Sequence, residues 1–164
     1  MTPKDRFYQF IISVGWTGLF PFAPGTVGSA ACVAIAAGFH YMGWLSPWLL
    51  GGMILAACAG NVALGPWIAE KIGKDPRQCV IDEAAGQWIS IFPILFISGS
   101  PWWWYVAAFF LFRAFDVTKP IGIGWWERFP HGWGILLDDC VAGVYVALLI
   151  TGAAWWLGVL STSS

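Results

Sequence analysis

Charged residues are what this sequence has least of. Lys, Arg, Asp and Glu together make up 10% of its 164 residues, against 59% hydrophobic side chains, 13 Trp and a mean hydropathy of +0.70. A soluble domain carries about a quarter of its residues as charges, so a water-exposed globule is excluded and a polytopic membrane protein is the expected class. There is no run of basic residues and the net charge is -1, which argues against a nucleic-acid partner. The four cysteines, at 32, 58, 79 and 140, lack a CxxC spacing; zinc and disulfide frameworks are therefore disfavoured, and small buried side chains are the better reading. No small-residue cleavage pattern follows the apolar stretch from Phe7 to Phe20, so it reads as an interfacial or half-inserted helix and not as a signal peptide.

What is present is a series of apolar segments at about 26 to 45, 48 to 69, 84 to 98, 102 to 115 and 140 to 160. Spans near 20 residues are needed to cross a bilayer. The first, second and last meet that length. The middle two are short, with Pro93 inside the third and Ser98 to Pro101 separating them, so a tilted or re-entrant hairpin fits as well as two full spans. The expected fold is all-α: a membrane helical bundle of four to five hydrophobic helices plus the N-terminal interfacial helix, forming one domain over residues 1–164.

Threading the segments alternately puts Lys4, Arg6, Lys71, Lys74, Arg77, Arg113, Lys119 and Arg128 on one side, which the positive-inside rule makes cytoplasmic. The opposite connections carry no charge, and Trp44, Trp48, Trp102, Trp103, Trp104, Trp155 and Trp156 cluster near them, where amphipathic rings favour the headgroup level.

The acids make the chemistry. Asp82-Glu83, Asp116 and Asp138-Asp139 lie at the ends of apolar stretches, never in the middle of one. A charge at the bilayer centre costs about 2.5 to 3.5 kcal/mol, so these groups are expected at a membrane edge, and three acidic clusters returning to one edge suggest a metal site. Asp82-Glu83 opens a helix, where an acid also serves as a cap and complements the dipole. Asp138-Asp139 is read as opening the last helix in the same way, with two adjacent carboxylates in excess of what capping needs. Arg113, Asp116 and Lys119 follow at spacings of three, adjacent on a helix or tight turn; a surface ion-pair ladder explains them, and so does a site in which Arg and Lys meet phosphate oxygens while Asp meets Mg²⁺. Pro24-Gly-Thr-Val-Gly-Ser29 offers converging backbone N–H groups and the Thr26 and Ser29 hydroxyls to an oxyanion, without the Lys of a Walker loop. Each of Asp82-Glu-Ala-Ala-Gly86 and Asp138-Asp-Cys-Val-Ala-Gly143 places a Gly one turn after its acids, where helices can approach closely. His131 is read as a loop residue near the site and His40 as structural. Asn61 reads equally as an interhelical hydrogen bonder or a pocket liner.

Four motifs in register, Pro24-Gly-Thr-Val-Gly-Ser29, Val80-Ile-Asp-Glu-Ala-Ala-Gly86, Phe112-Arg-Ala-Phe-Asp-Val-Thr-Lys-Pro120 and Gly132-Trp-Gly-Ile-Leu-Leu-Asp-Asp-Cys-Val-Ala-Gly143, resemble the phosphatidylglycerophosphatase A family of bacteria. The resemblance covers nearly the whole chain. It implies a Mg²⁺-dependent membrane lipid phosphatase that converts phosphatidylglycerophosphate to phosphatidylglycerol and inorganic phosphate, in the bacterial cytoplasmic membrane with its site facing the cytoplasm. The family's acidic positions fall on Asp82, Glu83, Asp116, Asp138 and Asp139, expected to bind metal and carry catalysis. Its basic positions fall on Arg113 and Lys119 and its Gly-Thr turn on Gly25 and Thr26, with Ser29 beside them, expected to bind phosphate. Direct attack by a metal-activated water and an aspartyl-phosphate intermediate both remain open, with Asp139 a candidate general base. The competing class is a small cation-coupled transporter or channel subunit. Transporter acids lie near the midplane, whereas these gather at one edge.

Overall fold

The computed structural model describes residues 1–73, 76–120 and 133–161. Lys74, Arg128, His131 and the loop after Pro120, on which part of the charge reading rested, lie outside the described residues. Every regular element described is helical: α1 (Pro3–Ile12), α2 (Pro24–Tyr41), α3 (Pro47–Lys71), α4 (Ile81–Ile91), α5 (Trp103–Thr118) and α6 (Trp133–Trp156).

Local chemistry sets the ends of these helices. Thr2 and Asp5 form a reciprocal capping box ahead of Pro3, and Ser46 accepts from the Leu49 N–H at the start of α3. Among the described residues α3 and α6 are long and apolar enough to cross a membrane. α4 differs in kind. At about 1.5 Å per residue its 11 residues extend roughly 16 Å, about half a hydrocarbon core. Pro93 stops it by converting the chain to a 3-10 turn at Phe92–Phe96. α4 is the central element, packed against α2, α3, α5 and α6. Its buried residues include Asp82, Ala84, Ala85, Gly86, Gln87 and Ser90, which leaves little of it for lipid.

The closest packing joins α4 to α6. A Cβ on Gly143 would collide with the Gly86 carbonyl, and one on Gly86 with the Asp139 carbonyl. The backbones therefore meet through two glycines, as small residues allow in membrane bundles. Around this crossing the core contains Ile91, Trp104, Tyr105, Phe112 and Val146. At the end remote from the acids the connections are tied together: Ser98 N–H donates to Val159 O at 2.8 Å, Ser161 N–H to Phe96 O at 2.7 Å, and the Tyr41 hydroxyl to Ser100 O at 3.1 Å.

Three expectations need correction. The last helix begins at Trp133, so Asp138 and Asp139 stand in its second turn, buried to 2% and 4% exposure. The apolar run Trp133-Gly-Ile-Leu-Leu continues the helix ahead of them, and the Lys119 ammonium paired with Asp138 offsets part of the cost of burying them. Phe7 to Phe20 is not one helix: α1 ends at Ile12, and Val14, Gly15 and Trp16 are left-handed, which breaks the spiral. Trp104 is buried in the core, stacked on Trp103 at 4.2 Å, while Trp44, Trp48, Trp102, Trp103, Trp155 and Trp156 are exposed. One helical step separates a rim residue from a core one.

Candidate active site

The start of α2, the start of α4, the end of α5 and the second turn of α6 come together at one end of the bundle. Glu83 is the point where three of them meet. Its Oε2 accepts from the Ser29 hydroxyl of α2 at 3.0 Å and from Arg113 of α5 at 2.9 Å. Gly25 lies so close that a Cβ there would strike the carboxylate. Arg113 reaches Asp116 as well, at 2.7 Å one turn along α5. One nitrogen, Nη1, meets both carboxylates, which leaves the other nitrogens of the planar guanidinium for a further partner. Burial pushes the Glu83 carboxyl up to about 7, Arg113 opposes the rise, and the charges of Asp82 and Asp116 add to it.

Asp139 of α6 lies within electrostatic reach of Asp82, Asp116 and Glu83. Several carboxylates gathered in one buried place repel one another unless a proton or a cation offsets their charge. Asp82 accepts from the Glu83 N–H at 3.0 Å, a helix-opening contact. Lys119 takes the left-handed conformation at the end of α5, with φ 44°, and its Nζ meets Asp138 of α6 at 2.5 Å. A non-glycine residue seldom holds this backbone, and such strain collects at functional positions.

Arg113 and Glu83 also form part of the wall of an open cleft of about 740 Å³, with Gly25, Thr26, Arg77 and Gln78. The first turn of α2 faces the cleft without a side-chain cap, because its N-cap residue is Ala23; the positive end of the helix is thereby left for a ligand. The Arg113 Nε is buried and has no hydrogen-bond partner among the described residues. Ser29 is fully buried behind Glu83, so the structure places its hydroxyl on the carboxylate, with Gly25 and Thr26 on the cleft.

The acids offer hard oxygen ligands of the kind Mg²⁺ takes, and the mutual repulsion of Asp139 with Asp82, Asp116 and Glu83 is one that a cation would relieve. As the side chains stand, no three Asp, Glu, His or Cys among the described residues form a ready ligand cluster; Arg113 and Lys119 hold Glu83, Asp116 and Asp138 instead. The donor set fits a divalent ion by chemistry and charge, with some rotation of these carboxylates required.

Sequence spacing found the acids and both cations. It missed the bond from Ser29 to Glu83 across 54 positions, and it used Arg77 for topology alone. The polar run Arg77-Gln78 just ahead of Asp82-Glu83 was the available signal for that wall of the cleft.

Residues 10–154 match the family model described as Phosphatidylglycerophosphatase A. An Escherichia coli K12 protein named Phosphatidylglycerophosphatase A is 38% identical over 160 residues, covering 92% of this chain and 87% of its own. A Haemophilus influenzae protein of the same name is 33% identical, covering 90% and 89%. A Bacteroides thetaiotaomicron protein named "Putative phosphatidylinositol-3-phosphatase" is 37% identical over 164 residues, covering 94% and 99%. No solved structure matches.

Proposed function

The chain belongs to the phosphatidylglycerophosphatase A family and is an enzyme of the phosphatase class; from that premise we propose that it hydrolyses phosphatidylglycerophosphate to phosphatidylglycerol and inorganic phosphate, with Mg²⁺, at the cytoplasmic face of a bacterial inner membrane. One observation carries the assignment of the site. Arg113 stands at the wall of a cleft formed by the uncapped start of α2, with a buried Nε–H that has no partner among the described residues. A buried donor without an acceptor costs about 1–3 kcal/mol, and a phosphoryl oxygen supplies the acceptor.

In this reading the phosphate enters the cleft against the Gly25 and Thr26 N–H groups and Arg113, and Lys119 adds charge from the end of α5. Glu83 fixes the guanidinium while Ser29 and Gly25 fix Glu83, so the phosphate-binding parts are set before substrate arrives. Asp82, Glu83, Asp116, Asp138 and Asp139 are the residues that would hold Mg²⁺. When bound, the ion supplies Lewis acidity toward the phosphoryl oxygens. Hydrolysis forms one P–O bond to water and breaks the P–O bond to glycerol. We assign Asp139 to take the proton that water loses, and the glycerol oxygen takes a proton back.

A site at the end of the bundle suits a lipid whose acyl chains stay in the leaflet while its phosphate lies at headgroup depth. The bundle is oriented in this reading by Lys4, Arg6, Lys71, Arg77, Arg113 and Lys119 on the site side, the other end having the exposed Trp44, Trp48, Trp102, Trp103, Trp155 and Trp156 and no Lys or Arg beside them. The test is phosphate release from purified protein in mixed micelles, with phosphatidylglycerophosphate and phosphatidylinositol 3-phosphate as parallel substrates and with Mg²⁺ or a chelator. Mg²⁺-dependent release from the first at least tenfold faster than from the second is expected. Release only from the inositol lipid would overturn the substrate assignment, and chelator-resistant release the metal.

A further inference from the structure

The segment between α1 and α2 exposes large apolar side chains on a backbone that is irregular apart from a single 3-10 turn at Thr17–Leu19. Trp16, Leu19, Phe20 and Phe22 are 57%, 44%, 53% and 78% exposed. This is a fixed arrangement. The Ser13 hydroxyl donates to Gln9 O at 2.6 Å and accepts from Trp16 N–H at 3.0 Å, Thr17 Oγ1 donates to Ser13 O at 2.9 Å, and Gly18 N–H donates to Ser13 O at 3.0 Å. Val80 N–H binds Ile12 O at 2.8 Å, which ties the segment's root to the start of α4 and hence to Asp82-Glu83. Irregular backbone is not tolerated facing hydrocarbon, and aromatic rings favour the headgroup level. Both place this segment at the interface.

Leu19 and Phe20 also wall the cleft that holds Arg77 and Arg113. The cleft is thus apolar on one lip and cationic on the other wall. A soluble phosphate ester would use only the second, whereas an anionic phospholipid monoester matches both. Resting on the lipid-phosphatase reading above, we infer that residues 16–22 form an interfacial lip that binds the glycerol-proximal part of the lipid's acyl chains and so selects phosphate carried on a membrane lipid over the same phosphate on a soluble ester. The lip recognises the hydrocarbon next to the headgroup, and Arg113 recognises the phosphate.

The experiment has two arms. In the first, Trp16→Asn combined with Phe22→Ser, neither of which lines the cleft, is compared with the unaltered protein on long-chain phosphatidylglycerophosphate in phosphatidylethanolamine vesicles and on the fully deacylated phosphate ester in solution. Asn is chosen because it tolerates the left-handed backbone at position 16. The expected result is a rise of at least tenfold in the apparent KM for vesicles, with kcat held and the rate on the deacylated ester within twofold. Equal losses on both substrates, or none on vesicles, would overturn the inference.

In the second arm, the unaltered protein in chelator-treated proteoliposomes is irradiated with phosphatidic acid bearing a diazirine near the carboxyl end of one acyl chain. Adducts mapped by mass spectrometry are expected on residues 16–22. Adducts confined to α3 or α6, or cross-links joining two protein copies through this segment, would overturn it. This arm needs no turnover, so a protein that released no phosphate would defeat the phosphatase reading while the lip was still judged by its adducts.

Discussion

Replacing Gly86 with Ala should disable the enzyme from a position that contributes no side chain to the site. The added Cβ would meet the Phe112 ring at 2.6 Å and the Asp139 carbonyl carbon at 2.9 Å, and would collide with the Asp139 carbonyl oxygen. Ordinary carbon contacts lie near ~3.5 Å, so α4 and α6 must part by about 1 Å. Phe112 is fully buried and the Asp139 carbonyl belongs to a helix backbone, so neither yields cheaply. Overpacking of this kind costs about 1–3 kcal/mol of stability. The catalytic consequence is larger, because Asp82 and Glu83 are carried on one helix of the pair and Asp138 and Asp139 on the other. A displacement of about 1 Å can cost ~10²-fold in rate. The assay is phosphate release per folded molecule, with folding followed by thermal unfolding in detergent. Gly52→Ala on α3, where an added Cβ meets nothing within 4 Å, serves as the control and should retain full activity, with stability unchanged or raised by up to about 1 kcal/mol. Gly86→Ala working within threefold of the unaltered protein would refute the claim that the interhelical distance sets the site.

Arg113→Lys should lower kcat/KM by at least about 10²-fold despite keeping the charge, because Arg113 meets Glu83 and Asp116 through Nη1 and keeps its other nitrogens for phosphate, whereas the single, shorter-reaching nitrogen of Lys must serve all three; steady-state kinetics on the micellar lipid check this. Asp82→Asn, Asp116→Asn and Asp139→Asn should each abolish turnover with the folded yield maintained, and near-normal rates in all three would remove the proposed site. Ser29→Ala should reduce rate by about tenfold or less, because it frees Glu83 without touching substrate. Chelation should stop phosphate release and Mg²⁺ should restore it, measured on one preparation. Thiol labelling of Cys introduced at 26, 77 or 116 from the cytoplasmic side of vesicles should succeed under conditions in which midplane positions of α3 stay unlabelled; equal resistance would favour the transporter-like reading.

The sequence alone determined the class of structure and the parts of the site. So little charge in so apolar a chain permits mainly helices whose backbone groups bond internally, and the few acids and bases that remain are conspicuous against that background. The bounds read for the middle of the chain also came close, because Pro93 and the turn from Ser98 to Pro101 act on the local backbone. Tertiary structure decided the rest. That Asp138 can be buried inside α6 depends on Lys119, which pairs with it from the end of α5. That Ser29 serves Glu83 follows from the close passage of α2 over α4, which Gly25 permits. Periodicity reports which face of a helix is apolar; it carries no information on which polar group of another helix will meet it, because that depends on interhelical distances set by packing around Gly86 and Gly143.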